Sequence, residues 1–144
     1  DMPNISAKAI SDINQTHLES GTVLTMATVM VPDFNGWRKG FYDFGRVVRG
    51  QDGKVEKIVE KKDATPEQLE IKEVNPSYFC FKSDWLWQNI DKLQTNNTQA
   101  EYYLTDLAGL AVSQREEIAT VEIAPKEALG VNTPEQLDLV KQLA

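Results

Sequence analysis

At 144 residues, 41% of them apolar and 26% charged, the chain has the length and composition of one folded domain with its own core, and its charges are too well mixed for a disordered segment. A formal net charge of −7 argues against a nucleic-acid binder, which carries a basic face, so any phosphate handled here needs a metal ion, backbone amides or a few placed cations. Cys80 is the only cysteine, which precludes an internal disulfide and fits a reducing cytoplasm, and no apolar run approaches the length of a membrane span.

The chain opens on Asp1-Met2-Pro3, a polar, turn-like tripeptide, and this start predicts a piece of a longer protein. Pro3 pushes Met2 away from helix. Asp1 is then either an ordinary turn aspartate or a carboxylate at the end of a strand, where an open α/β crevice can hold a metal. Residues 5–20 carry Ile5, Ala9, Ile10, Ile13 and His17 at helical spacing, closed by Ser20-Gly21. Residues 22–31 are β-branched and apolar and predict a buried strand. A turn-rich loop runs from Pro32 to Gly40. Residues 41–49 and 54–60 then predict two strands around Gly50-Gln51-Asp52-Gly53, in which Asp-Gly is a strong hairpin signal.

Thr65-Pro66-Glu67-Gln68 predicts a capping box, with the threonine as cap, proline at the first helical position and glutamine at the third. The same solution returns at Thr133-Pro134-Glu135-Gln136, where it opens a last helix over 133–144. Residues 72–82 predict one strand, nearly continuously apolar from Tyr78 to Phe81. Ser83 or Asp84 is expected to cap a helix carrying Trp85, Leu86, Ile90 and Leu93. Residues 101–114 predict a helix with Leu104, Leu107 and Ala111 on its core face, and 120–124 a strand. Strands separated by helices, with one hairpin, predict a single α/β domain with a mixed sheet.

Several positions carry candidate chemistry. Gly45 sits inside a predicted strand beside Arg46, which marks either a bulge or packing contact, or a close approach of ligand or backbone. Alternation turns Glu60 with Ile58 toward a covered face. It reads either as part of the solvated run Glu60-Lys61-Lys62-Asp63 or as an acceptor for sugar hydroxyls. Asn75 precedes Pro76 and is either a turn residue or an amide with both donor and acceptor for a sugar or an acetamido group. Asn96-Asn97-Thr98-Gln99-Ala100-Glu101-Tyr102-Tyr103-Leu104-Thr105-Asp106 gathers amides, carboxylates, hydroxyls and two phenols. It reads as an amide-rich helix cap or as a surface gripping a polyhydroxylated ligand, with Glu101 and Thr105 sharing a helix face. Asn132, ahead of the last helix, offers a neutral oxygen to a hard cation such as Mg²⁺, whose octahedron substrate phosphates and waters complete. His17 has no partner at ligand spacing and reads as structural, and Cys80 as a core residue. No Walker A, G-x-S-x-G, G-x-G-x-x-G or Ser–His–Asp signature is present.

The order of these segments is more specific than any one of them. Asp1-Met2-Pro3, Phe44-Gly45-Arg46-Val47-Val48-Arg49, Asp52-Gly53-Lys54-Val55, Glu60-Lys61-Lys62-Asp63-Ala64-Thr65, Glu73-Val74-Asn75, the 96–106 stretch and Gly130-Val131-Asn132-Thr133 follow one another along the chain. In this order the chain resembles the sugar-nucleotide pyrophosphorylases, in particular the uridylyltransferase domain that makes UDP-N-acetylglucosamine. The resemblance implies a Rossmann-like nucleotidyltransferase fold of the GT-A-like kind, with flanking helices. All of 1–144 would be the C-terminal part of one such domain. It also implies a reaction of UTP with N-acetylglucosamine 1-phosphate that gives UDP-N-acetylglucosamine and pyrophosphate, with Mg²⁺. Asp1 and Asn132 would hold the metal, Gly45, Glu60 and Asn75 the sugar, and Glu101, Tyr103 and Thr105 would line the sugar–phosphate pocket.

The family's Gly-rich triphosphate loop, its catalytic Lys and Arg and its base-reading residues have no counterpart in these 144 residues. The resemblance therefore covers the sugar half of a site, without catalytic residues, and implies that the piece alone is inactive. An alternative is a non-catalytic sugar-nucleotide-binding or regulatory module of the same fold; another is an enzyme of this fold that takes a different sugar or nucleotide. Smaller departures are a lengthened 33–43 loop, Phe44 for a common Tyr, Pro76-Ser77 for a usual Thr-Gly, and Ala100 for a usual Gly.

Overall fold

In a computed structural model of the chain, residues 2–143 are described. The candidate metal ligand Asp1 lies outside them. Helix α1, Ala7–Ser20, is capped by the Ser6 hydroxyl, which accepts from the Ala9 amide at 3.0 Å, and ends at Gly21 in the left-handed region. Strand β1, Leu24–Met30, is buried along all but its last residue, because it is covered on both faces.

Strand β2, Gly45–Arg49, and strand β3, Val55–Val59, form the expected hairpin. Residues 41–43, expected as strand, instead end a 3-10 helix, Gly36–Asp43, in the lengthened segment. Its aromatic side chains explain the change. Phe41 is buried against Trp37 and Phe44, and packing of this kind outweighs the period-2 pattern that predicted a strand.

The expected strand 72–82 is broken in two: β4, Glu73–Asn75, and β5, Phe79–Phe81. Both halves still run antiparallel beside β1, and the Ala27 amide donates to the Tyr78 carbonyl between them at 2.9 Å. Pro76 has no N–H for the ladder, and Ser77 turns at φ 61°. β5 is half-buried rather than a core strand. Short helix α2, Pro66–Leu69, carries the complete capping box predicted at Thr65. Helix α3 is Ser83–Asn89, with Lys82 at the cap position and no side-chain cap bond. Neither Ser83 nor Asp84 caps it, and Asp84 instead lies in the first turn, where the helix dipole favours a carboxylate.

Helix α4 is Asp106–Ser113, starting five residues later than predicted. Glu101 and Thr105 therefore share no helix face, and Leu104 is 43% exposed instead of entering the core. Strand β6, Ile118–Glu122, pairs parallel with β1, and helix α5 is Pro134–Leu143.

Across the sheet the order is β3-β2-β4-β1, with β5 continuing β4 along one side of β1 and β6 on its other side. Side chains of β1 alternate between two cores. Leu24 and Met26 join Val47 and Ile58 of the hairpin, Trp85 of α3, and Leu107 and Ala111 of α4. Ala27 and Val29, with Val31 just past the strand, join Ala9 and Ile13 of α1, Phe41, and Val140 of α5. The architecture is thus the mixed α/β sheet with flanking helices that the sequence predicted. Among the described residues no helix is long and apolar enough to cross a membrane. His17 behaves as a structural residue, whereas Cys80, expected in the core, is half-buried at its edge. His17 is buried on Thr25 (Nδ1 to Oγ1, 3.0 Å), and burial pushes the Cys80 thiol pKa up.

Candidate functional site

Antiparallel pairing of β2 with β3 and with β4 brings three strand ends to the same edge. Arg46 pairs with Val59, and Gly45 pairs with Asn75. Gly45 therefore opens β2 beside Asn75, the last residue of β4, and Glu60, the first residue past β3. Helix α4 packs over β3, which carries Thr105, the residue just ahead of α4, to the same place. There the Thr105 hydroxyl donates to Glu60 Oε1 at 2.8 Å, and Thr105 is buried.

The glycine is required by this convergence. A Cβ at Gly45 would lie 2.9 Å from Ile58 Cγ2 and 3.3 Å from Glu60 Oε1. The close approach left open by the sequence is thus to the Glu60 side chain and the hairpin core. Asn75 resolves in a similar way, because its two amide atoms divide the roles. Oδ1 accepts from the Ser77 amide at 3.1 Å and makes the turn. Nδ2 is buried and has no hydrogen-bond partner, a condition that costs about 1–3 kcal/mol unless something else accepts from it.

The 96–106 stretch is a loop strapped onto residues 60–63, not a capped helix. Asp63 Oδ1 accepts from the Thr98 hydroxyl at 2.5 Å and from its amide at 2.8 Å. These two bonds, the hydroxyl first, hold the Asp63 carboxyl below its ordinary pKa. Lys62 donates to the Gln99 side-chain Oε1, and Gln99 Nε2 donates to the Tyr103 phenol at 2.7 Å. Loss of solvation pushes the Tyr103 phenol pKa up, and the nearby Asp63 and Glu60 charges add to the rise. Tyr103 therefore lies beside Gln99, Asp63 and Glu60. The Glu101 side chain is exposed, and its residue is held through backbone bonds to Asn97. A cleft of about 310 Å³ opens between Asp43, Glu60, Lys61, Lys62 and Gln99.

Asn132 lies apart from this group, on a second pocket of about 190 Å³ between the 3-10 helix and α5. Asp43 lines both. The Asn132 backbone amide donates to Gln136 Oε1 at 2.6 Å, and its side-chain amide makes no hydrogen bond among the described residues. A neutral oxygen of this kind suits a hard cation. Among the described residues there is no cluster of three His, Cys, Asp or Glu that could hold a metal by itself.

The sequence reading missed Asp63 and Thr98 as the strap that places Tyr103. The Glu-Lys-Lys-Asp run reads as a solvated charge cluster when its partner, 35 residues on, is unknown. It also missed the Arg46 side chain, which is 0% exposed despite its charge. Its guanidinium donates to the carbonyls of Phe44, Tyr42 (3.0 Å) and Leu69 (3.4 Å) and lies 4.8 Å and 5.2 Å from the Phe34 and Tyr42 rings. It clamps the backbone on the N-terminal side of Gly45. At two of the noted departures from glycine, Ser77 and Ala100, the backbone adopts a positive φ, 61° and 54°, which glycine would adopt without strain.

The chain is 36% identical over 137 residues to the bifunctional protein GlmU of Clostridium acetobutylicum, 39% over 137 residues to that of Clostridium beijerinckii, and 38% over 138 residues to that of Trichlorobacter lovleyi. Each match takes in 95% of this chain but spans only 28% of the relative's length. No family model matches the chain. Among solved structures, the nucleoside-diphosphate-sugar pyrophosphorylase of Vibrio cholerae RC9 superimposes with a TM-score of 0.59 over 87% of this chain and 49% of that one, at 14% identity. The chain is related over nearly its whole length to one segment of the GlmU proteins, and its fold is part of a nucleotidyltransferase-like fold.

Proposed function

We propose that this relative of one segment of the GlmU proteins is the C-terminal part of a sugar-1-phosphate nucleotidyltransferase domain and carries the sugar-binding half of its site. The observation that carries the reading is the convergence of Gly45, Glu60, Asn75 and Thr105 at one sheet edge, with the Asn75 Nδ2 donor buried and unsatisfied. A sugar with hydroxyls and an acetamido carbonyl supplies what this group lacks: an acceptor for Asn75 and donors for the Glu60 carboxylate. Similarity to the GlmU proteins and to a nucleoside-diphosphate-sugar pyrophosphorylase supports a nucleotidyltransferase; the acetamido-compatible chemistry of the group makes N-acetylglucosamine 1-phosphate our choice of ligand, with UTP as co-substrate and UDP-N-acetylglucosamine and pyrophosphate as products.

Glu60, pre-oriented by the Thr105 hydroxyl, accepts from a ring hydroxyl. Asn75 Nδ2 donates to the acetamido oxygen, and the strap through Asp63 holds Tyr103 along the wall. Glu101 stands at the exposed rim. In-line attack of the sugar phosphate on the α-phosphorus of UTP needs alignment and charge neutralisation more than a protein base, so this half contributes orientation. Asn132, with Asp1, would hold Mg²⁺, which when bound supplies the neutralising charge on the phosphates.

The test is isothermal titration of the 144-residue chain with N-acetylglucosamine 1-phosphate and with glucose 1-phosphate, for wild type and Asn75→Ala. Selective binding of the acetamido sugar, lost in the variant, is expected. Equal binding of both sugars, or no effect of the substitution, refutes the reading. Pyrophosphate release from UTP by this chain alone would refute the assignment of the nucleotide half to residues outside it.

A further inference from the structure

The lengthened 33–43 segment does more than connect β1 to β2. Its 3-10 helix forms one wall of the 190 Å³ pocket, with Trp37, Lys39 and Gly40 facing Leu129, Gly130, Asn132 and α5. Most cations on this side of the molecule are engaged. Arg38 forms a two-oxygen pair with Asp33 at 2.6 and 2.8 Å, and Arg46 is buried on three carbonyls. Lys61 pairs with Asp43 at 2.5 Å, and Lys62 is tied to Gln99. Lys39 forms no ion pair among the described residues, and it lines the pocket together with the uncommitted Asn132 amide. The floor beneath them is apolar, built from Phe41, Phe44 and Leu129.

We propose that this pocket is a phosphate site in which Lys39 supplies the cation, so that the 33–43 segment grips the phosphate end of the ligand whose sugar occupies the cleft at Glu60. The inference rests on the sugar-phosphate reading of that cleft. Continuity is given by Asp43, which lines both spaces and lies two residues ahead of Gly45. A chain with net charge −7 repels a phosphate unless a cation is placed locally, and Lys39 is an exposed cation on the pocket wall, able to reach an entering phosphate. The aromatic packing of Phe41 fixes the 3-10 helix against the core, which keeps Lys39 over the pocket.

The experiment is a ¹⁵N–¹H NMR titration of the 144-residue chain in metal-free buffer with N-acetylglucosamine 1-phosphate, N-acetylglucosamine and inorganic pyrophosphate, for wild type, Lys39→Met and Lys39→Arg. Both phosphate ligands are expected to shift the Trp37 indole and the Gly130 and Asn132 amides. Lys39→Met should weaken both by about fivefold, a single charge-assisted contact at a partly exposed site, while Lys39→Arg retains them and the affinity for N-acetylglucosamine stays unchanged. Equal phosphate affinity in wild type and Lys39→Met, or no shift at Trp37 and Asn132 with either phosphate ligand, overturns the inference. Lys39-dependent binding of pyrophosphate without binding of either sugar ligand supports the phosphate site and refutes the sugar reading instead.

Discussion

Replacing Arg46 by methionine probes most directly the clamp on the backbone next to Gly45. The guanidinium is wholly buried, has no carboxylate partner among the described residues, and satisfies the carbonyls of Phe44, Tyr42 and Leu69 between two aromatic faces. Burial lowers its pKa from the ordinary arginine value, with the Tyr42, Asp43 and Glu70 charges working the other way. Methionine fills similar volume and removes a costly buried charge, a relief of several kcal/mol. It also strands three acceptors at about 1–3 kcal/mol each and forfeits about 1 kcal/mol of cation–π attraction, along with the charge-assisted bonds themselves. The expected balance is a loss of about 3 kcal/mol, the lower part of the range for breaking a buried charged network from one side. Equilibrium urea unfolding reads this. With a slope near ~2 kcal/mol per molar, the midpoint should fall by roughly 1.5 M at unchanged slope. Arg46→Lys should recover only part of it, because a compact ammonium does not span the three carbonyls that a planar fork reaches. A midpoint for Arg46→Met within about 0.3 M of wild type would show that the carbonyls find water and that the guanidinium is no clamp.

Gly45→Ala places a methyl 2.9 Å from Ile58 Cγ2, so a stability loss of about 1–3 kcal/mol and weaker sugar-phosphate binding are expected by urea unfolding and calorimetry; unchanged values for both would contradict the close approach. Thr105→Val removes the 2.8 Å bond to Glu60 and should cost about 1 kcal/mol, with reduced sugar affinity; an affinity equal to wild type would show that Glu60 needs no orienting. Thr98→Ala should raise the Asp63 pKa back toward the ordinary carboxylate value in a ¹³C carboxyl titration. Because the folded pKa is depressed, this contribution to stability is present above about pH 4 and is lost as pH falls through the folded value, and no change in the titration would contradict the strap. Ala100→Gly should stabilise by about 0.5–1 kcal/mol, since an alanine at φ 54° carries a steric penalty that glycine does not; a lower thermal midpoint would refute that account.

Elements set by local chemistry were legible in the chain. The capping boxes at Thr65 and Thr133, the Asp52-Gly53 hairpin and the Ile13/His17 helix face need only neighbours in sequence to form. Errors came where distant packing overrode local pattern. The helix expected from Glu101 begins at Asp106, because Thr98 and Gln99 are bound to residues 62 and 63 and Asn97 holds the backbone at Glu101. The strand expected to begin at Phe41 begins at Gly45, because three aromatic side chains fold the preceding turn inward. Gly45, Glu60, Asn75 and Thr105 were each legible as candidates, since glycine in a strand, an inward carboxylate and an amide before proline are locally odd.

The chain by itself determined which residues are chemically unusual, and the order that relates them to the GlmU proteins, because both are properties of residue type along a line. Only the tertiary structure decided that Gly45, Glu60 and Asn75 meet, since that depends on two antiparallel registers placing three strand ends at one edge. It also decided that Asn75 keeps an unsatisfied donor there, that Thr105 is bonded to a residue 45 positions away, and that Asn132 faces a separate pocket with Lys39. Hydrogen-bond satisfaction and burial are pairwise properties of groups in space, and no residue carries its partner's distance in its own identity.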